Sequence, residues 1–289
     1  MKARKWFAWV SALAALAVLV GGCAAPTPVV VEKEKVVEKP VVQTVVVEKE
    51  KVVEKPVIQT VVVEKEKVVE KEVKPKAGGR VVVAHRQEPD RFWTPITGLS
   101  VAMEVAGLMN HPLIGVNDKN EFYPILVTEV PSVQNGGISE DSLTWTFRLR
   151  KDVKWHDGKP FTAEDVCFTY DVIMMEGTDV RSRVGWDRIA SCEMPDPYTV
   201  VFKFKQVDAP FLMRVSNVQI LPKHILGGLS AQEINAHQWF RAPVGTGPFM
   251  FKEWVAGDHI TVVKNPNYFI EGQPYLDEIV YRVVPDANT

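Results

Sequence analysis

The run Leu143-Thr144-Trp145-Thr146-Phe147-Arg148-Leu149-Arg150-Lys151-Asp152-Val153-Lys154-Trp155-His156-Asp157-Gly158-Lys159-Pro160-Phe161-Thr162-Ala163-Glu164-Asp165-Val166 lays a strand, a turn and a helix end to end. Leu143, Trp145, Phe147 and Leu149 alternate with Thr144, Thr146 and Arg148, so a period of two puts the large apolar side chains on one face of a half-buried strand. Asp157-Gly158 supplies a turn, because glycine reaches the backbone angles that a tight reversal needs. Thr162 stands as a helix N-cap, with Glu164 and Asp165 in a first turn whose dipole favours negative charge. Ala163, Val166, Cys167, Tyr170, Ile173 and Met174 then share one helical face.

Outward from this block the same periods recur. Upstream, Arg80-Val81-Val82-Val83-Ala84 follows the breaker Ala77-Gly78-Gly79; it is β-branched and too short for a helix, so a buried strand is expected. Val101 to Met109 has helical apolar spacing. Downstream, Tyr198, Val200, Phe202 and Phe204 alternate, as do Ile260 to Val263 and Ile279 to Val283, with Pro/Gly turns between them. Strands in irregular order with few helices specify an α+β (mixed α/β) body, not a strictly alternating βαβ wheel.

The quoted run closely resembles the signature of solute-binding protein family 5, the extracytoplasmic receptors of peptide, nickel and oligosaccharide ABC importers. Leu221-Pro222-Lys223-His224-Ile225-Leu226 and Pro243-Val244-Gly245-Thr246-Gly247-Pro248-Phe249 agree in order and spacing, as do Asn265-Pro266-Asn267-Tyr268-Phe269 and Pro274-Tyr275-Leu276-Asp277-Glu278. The resemblance spans Arg80 to Asn288. It implies a fold like the type II periplasmic binding proteins, no enzymatic activity and no cofactor. The implied partners are a peptide or other small solute, and the permease and ATPase subunits of an importer. The family's second lobe should begin where this sequence stops, at Asp286-Ala287-Asn288-Thr289, so residues 77–289 are expected to be a truncated first lobe.

The family's ligand lies between two lobes, and the resemblance places the loop Gln87-Glu88-Pro89-Asp90-Arg91-Phe92-Trp93 at the border of that cleft. Its polar and aromatic mixture suits a concave site, though an ordinary surface loop with Trp93 packed inward stays open as the alternative. Trp186 and Trp239 are weaker candidates. Gly245, Thr246 and Gly247 fall near a domain crossing in the family and are expected to serve as a conformational element, with glycines suited to tight backbone.

The amino terminus reads as an export signal. Lys2, Arg4 and Lys5 precede an apolar stretch from Trp6 to Val20 that is too short to span a bilayer comfortably. Leu19-Val20-Gly21-Gly22-Cys23 resembles the lipobox of bacterial lipoproteins. Residues 1–22 are therefore expected to be removed, and Cys23 to be acylated at the head of segment 23–28. This would leave the protein outside the cytoplasm, on the outer face of the cell membrane or in the periplasm. Val29 to Thr44 recurs at Val45 to Thr60 with one change, Ile58, and again from Val61. Prolines 40, 56 and 75 interrupt this 29–76 segment, and its Glu and Lys balance, so an extended linker is expected over a coiled coil. Fully extended it would reach roughly 150 Å; as a flexible coil, about 40 Å.

Charge and motif content narrow the chemistry. Residues 1–76 hold 14 Lys+Arg against 10 Asp+Glu, which leaves 20 against 26 in the body. An acidic body lacks the clustered cations that nucleic acid binding requires. No His-Glu-x-x-His, Gly-x-Ser-x-Gly or phosphate loop occurs, the histidines lack metal-ligand spacing, and His156-Asp157 reads as part of a turn rather than of a triad. Cys167 and Cys192 form an even pair in an oxidising compartment. They are expected either to bond or to remain two inert buried thiols, with Cys192 ending an apolar strand. A second functional class stays open beside the transport receptor: a stand-alone sensory or wall-associated lipoprotein in which the repeat matters more than the cleft.

Overall fold

A computed structural model describes residues 76–286 of the chain. The expected signal, Cys23 and nearly all of the repeat lie outside the described residues.

The polypeptide builds two sheets of different character. In the first, β4 (Thr144–Arg148), β6 (Thr199–Phe204) and β5 (Ile189–Asp196) pair antiparallel in the order β4-β6-β5. The alternation in the quoted run holds: Trp145 and Phe147 point inward, opposite Phe202 and Val200. Helix α2 (Ala163–Met174) begins at Thr162, whose backbone N–H donates to Asp165 Oδ2 at 3.0 Å. Its buried face holds Ala163, Val166, Cys167 and Ile173 as expected, adds Val172 and Thr169, and leaves Tyr170 and Met174 half-buried.

The hub of this core is Phe211, fully buried on α3 (Phe211–Ser216), with ring centroids of Phe204 at 4.8 Å, Trp145 at 5.3 Å and Phe202 at 5.4 Å. Trp186 and Trp239, the weaker ligand candidates, are core residues, 7% and 2% exposed. Cys167 and Cys192 are bonded, with Cα atoms 5.7 Å apart, tying α2 to β5. Cys192 does not end its strand. β5 runs on through Pro195, which the ladder tolerates because β5 is an edge strand and a proline there forfeits no paired N–H.

The second sheet orders β1 (Arg80–His85), β9 (Glu278–Val283), β8 (His259–Lys264) and β7 (Phe249–Val255), with β1 and β9 parallel and the other pairs antiparallel. Helix α1 (Ser100–Met109) covers one face, setting Val101, Val105, Ala106 and Met109 against Phe249, Ile260 and Val262. The expectation of a buried first strand fails here. β1 is an edge, and Val81 and Val82 are 40% and 51% exposed, because β-branched composition specifies a strand and not what covers it. A short hairpin, β2 (Ile114–Val116) with β3 (Phe122–Pro124), and helices α4 (Lys223–Leu226) and α5 (Ala231–Ala236) complete the body.

Candidate functional site

The parallel strands β1 and β9 end together: Val284 donates its N–H to the His85 carbonyl at 2.8 Å. The carboxyl end of a parallel pair is where open sheets leave a ligand crevice, and the chain turns there into the loop Gln87–Trp93. Glu88, half-buried, is held as a fixed acceptor: its Oε1 receives Trp254 Nε1–H at 2.7 Å and the Gly257 N–H at 3.1 Å, both from the end of the β7–β8 hairpin. The Trp254 ring is itself clamped, with the Arg241 guanidinium 3.8 Å from its centroid and Phe92 at 5.0 Å.

The rest of the loop divides by burial. Gln87 is exposed. Asp90 accepts from the Arg91 N–H at 2.8 Å and the Thr97 hydroxyl at 2.5 Å, and Arg91 pairs with Asp179 at 2.6 Å. Pro89 is buried, and Phe92 and Trp93 are fully so; Trp93 donates Nε1–H to the Gln219 carbonyl at 2.9 Å. Trp93 is therefore an anchor of the loop and offers no ring to a ligand, whereas Gln87, Glu88, Asp90 and Arg91 keep polar groups at the surface. The same end of the sheet carries more charge. His259 lies between Asp258 at 2.8 Å and Glu253 at 3.5 Å, and the Asp258 hydrogen bond chiefly holds its ring above the usual imidazole range.

At the opposite end of the second sheet, Gly245-Thr246-Gly247 leads into β7. Neither glycine takes a positive φ, so the expected reason for them, a tight backbone conformation, gives way to close approach. An added Cβ would sit 2.7 Å from the Met109 carbonyl carbon at Gly245 and 2.6 Å from it at Gly247. Gly247 donates its N–H to the Met109 carbonyl at 2.8 Å, and Thr246 is 2% exposed.

His156 completes the clamp. Its backbone N–H reaches the Gly245 carbonyl at 2.8 Å, its Nδ1 lies 3.0 Å from the Gly245 nitrogen, and its Nε2 lies 3.0 Å from the Gly247 carbonyl. Burial lowers the His156 pKa from the usual imidazole value. The Gly158 turn is present, with φ +85 and its N–H on the Trp155 carbonyl at 2.8 Å. The imidazole's role across 89 residues of chain has no local signal. Asp165 was equally hidden: beyond capping α2 it accepts the Lys223 N–H at 3.0 Å and Trp155 Nε1–H at 3.3 Å, and burial raises its pKa. Among the described residues no cluster of three His, Cys, Asp or Glu side chains has metal-ligand geometry, and no helix is long and apolar enough to cross a membrane.

Comparisons with known proteins converge on one group. Residues 121–289 match the family described as "Bacterial extracellular solute-binding proteins, family 5 Middle". The oligopeptide-binding protein AppA of Bacillus subtilis (strain 168) is 34% identical over 217 residues, covering 74% of this chain and 39% of that protein. Its structure in complex with a nonapeptide superposes with a TM-score of 0.69 at 33% identity, over 74% of this chain and 42% of that one. DppA from Helicobacter pylori, in complex with the peptide STSA, gives 0.61 at 26% identity, over 74% and 44%. The chain thus spans well under half the length of the relatives it matches, and the fold it shares with them is that of the type II periplasmic binding proteins.

Proposed function

The chain belongs to the bacterial extracellular solute-binding proteins of family 5, and on that footing we propose that it supplies one wall of a lipid-anchored receptor that captures peptides outside the cytoplasm and passes them to an ABC importer. The observation that carries this reading is the Glu88 carboxylate. It is half-buried at the carboxyl ends of β1 and β9, and it is fixed in place by Trp254 and Gly257. A carboxylate has lone pairs to spare after accepting two hydrogen bonds, so it can take a further N–H from a peptide main chain or amino terminus. Gln87, Asp90 and Arg91 extend the polar rim, and Trp93 holds the loop from beneath. Peptide is favoured over other solutes because the 34% identical relative is named an oligopeptide-binding protein and its structure holds a nonapeptide. The role is capture and release, not catalysis.

Residues 1–22 act as the export signal, 23–28 as the lipidated start, 29–76 as the spacer and 77–289 as the binding lobe. Gly245-Thr246-Gly247 is the joint between the two sheets of that lobe. Anchoring follows from the Gly21-Gly22-Cys23 junction behind a short apolar stretch, with thioether-linked diacylglycerol as the anchor.

Photo-crosslinking with a pool of nonapeptides carrying a photoreactive side chain tests the wall. Crosslinks are expected on Gln87 to Arg91 and should fall at least tenfold in Glu88→Ala, while adducts confined to other elements would overturn the assignment. Calorimetry with the same pool is expected to register no heat from this chain alone, because small ligands need most of their surface enclosed. Micromolar binding would show that one wall suffices. Membrane fractionation tests the anchor separately: the acylated protein should sediment with membranes, Cys23→Ala should appear in the soluble fraction, and unchanged fractionation would refute lipidation.

A further inference from the structure

We infer that His156 is a proton-operated latch: its neutral ring holds the Gly245-Thr246-Gly247 junction closed between the two sheets, and adding a proton to that ring opens it. The hydrogen bonds identify the protons. The Gly245 nitrogen can only donate, so Nδ1, at 3.0 Å, must accept and carries no proton. The Gly247 carbonyl can only accept, so Nε2, at 3.0 Å, must carry the single ring proton. One tautomer of one charge state satisfies both contacts. A second proton has to bind Nδ1, where it meets the Gly245 N–H donor to donor. Turning the ring over does not help, since both nitrogens of an imidazolium donate.

The junction cannot absorb the conflict by shifting. It presses against the end of α1, where Gly247 N–H is bonded to the Met109 carbonyl at 2.8 Å, and Asn265 Nδ2–H holds the Gly247 carbonyl at 3.0 Å. The side-chain oxygen of Asn110, buried beside Gly245, has no hydrogen-bond partner and adds another fixed neighbour. Protonation is therefore accommodated by separation.

The charges around the ring determine when this happens. On its own turn, Asp157 favours the cation, but His224 Nε2 already lies against that carboxylate at 2.7 Å. Asp152 and Lys154, of opposite sign, line the open polar groove on the solvent side. From the end of α1 comes His111, whose charge would oppose that of His156, and from the segment after β8 comes Tyr268, hydrogen-bonded to His111 at 2.8 Å. Burial outweighs Asp157 and keeps the closed ring neutral.

The latch also reaches the loop Gln87–Trp93, which is fastened to both sides of the joint: Phe92 and Trp93 to Phe240 and Gln219, and Glu88 to Trp254 and Gly257. Only that consequence depends on the peptide reading; the latch itself can be tested without any ligand.

The test is amide hydrogen exchange of the full chain by NMR between pH 7.5 and pH 5.5, read as protection factors. An opened ring regains an ordinary pKa of about 6.5, so Gly245 protection should fall about tenfold across that range. His156→Gln offers one acceptor and one donor but does not titrate, and should abolish the pH dependence; His111→Asn should leave it in place. Flat wild-type protection, or a tenfold fall that survives in His156→Gln, would overturn the latch. Should that variant fail to fold, the ring nitrogen shifts of the wild type at pH 7.5 still decide the question, since an Nδ1–H tautomer is incompatible with the proposal.

Discussion

The two sheets of this body solve the problem of burial differently. The three-stranded sheet closes over itself, with Phe211 inserted among Trp145, Phe147, Phe202 and Phe204 and a disulfide stapling α2 to β5. The four-stranded sheet packs α1 on one face and leaves its first strand as an apolar edge, with Val82 51% exposed. The first region therefore buries its large aromatic side chains in one core. The second is built to present a surface, and the candidate ligand loop springs from that exposed edge strand.

The largest expected effect that would break this contrast is in the aromatic hub. Phe211→Ala should cost about 4 kcal/mol in urea unfolding, because a fully buried ring loses both transfer energy and the contacts around the cavity it leaves. A loss below about 1 kcal/mol would mean that the hub repacks freely. Next comes the staple. The bridged residues are 25 apart, and on loop-closure grounds Cys192→Ser should lower stability by about 3 kcal/mol, seen as a fall in Tm that reducing agent reproduces in the wild type.

A smaller effect is expected where the two regions meet. His111 is held neutral, its pKa lowered to about 3 mainly by burial and also by His156. The unfolded chain takes up a proton near pH 6.5 and the folded one resists it, so stability is complete above about 6.5 and lost as the pH falls towards the folded value. Unfolding at pH 5.5 should show a loss of about 1 kcal/mol relative to pH 7, and His111→Asn should reduce it. The smallest effect belongs to the exposed edge: Val82→Thr should change stability by less than about 0.5 kcal/mol, as surface substitutions do. A larger loss would show that the edge of β1 is covered in the protein as it works.

Legibility followed the range of the interactions. Trp145, Phe147, Val200, Phe202 and the capped start of α2 could be read because alternation and capping are encoded within a few residues. Phe211 could not, since its helix is short and its importance comes from rings contributed by two strands upstream of it, β4 and β6. The candidate loop was legible as a location only. That Trp93 anchors it from below, and that Trp254 and Gly257 fix Glu88, depends on contacts spanning 126, 166 and 169 residues. The pairing of Cys167 with Cys192, open between bonded and free thiols from spacing alone, was decided by the packing of α2 across β5.

By itself the sequence determined the α+β class, the family, and those strands and helices that carry a clean local period, because each rests on short periodic patterns or contiguous motifs. Tertiary structure decided which faces those elements bury. Covering a strand is a property of its neighbours, which is why Val81 and Val82 of β1 are exposed while Val262 of β8 is buried. It also decided what individual polar groups do. His156 reads as a turn residue until the fold brings Gly245 and Gly247 to its two ring nitrogens, and a hydrogen bond exists only when donor and acceptor are within about 3 Å, a distance no local pattern encodes.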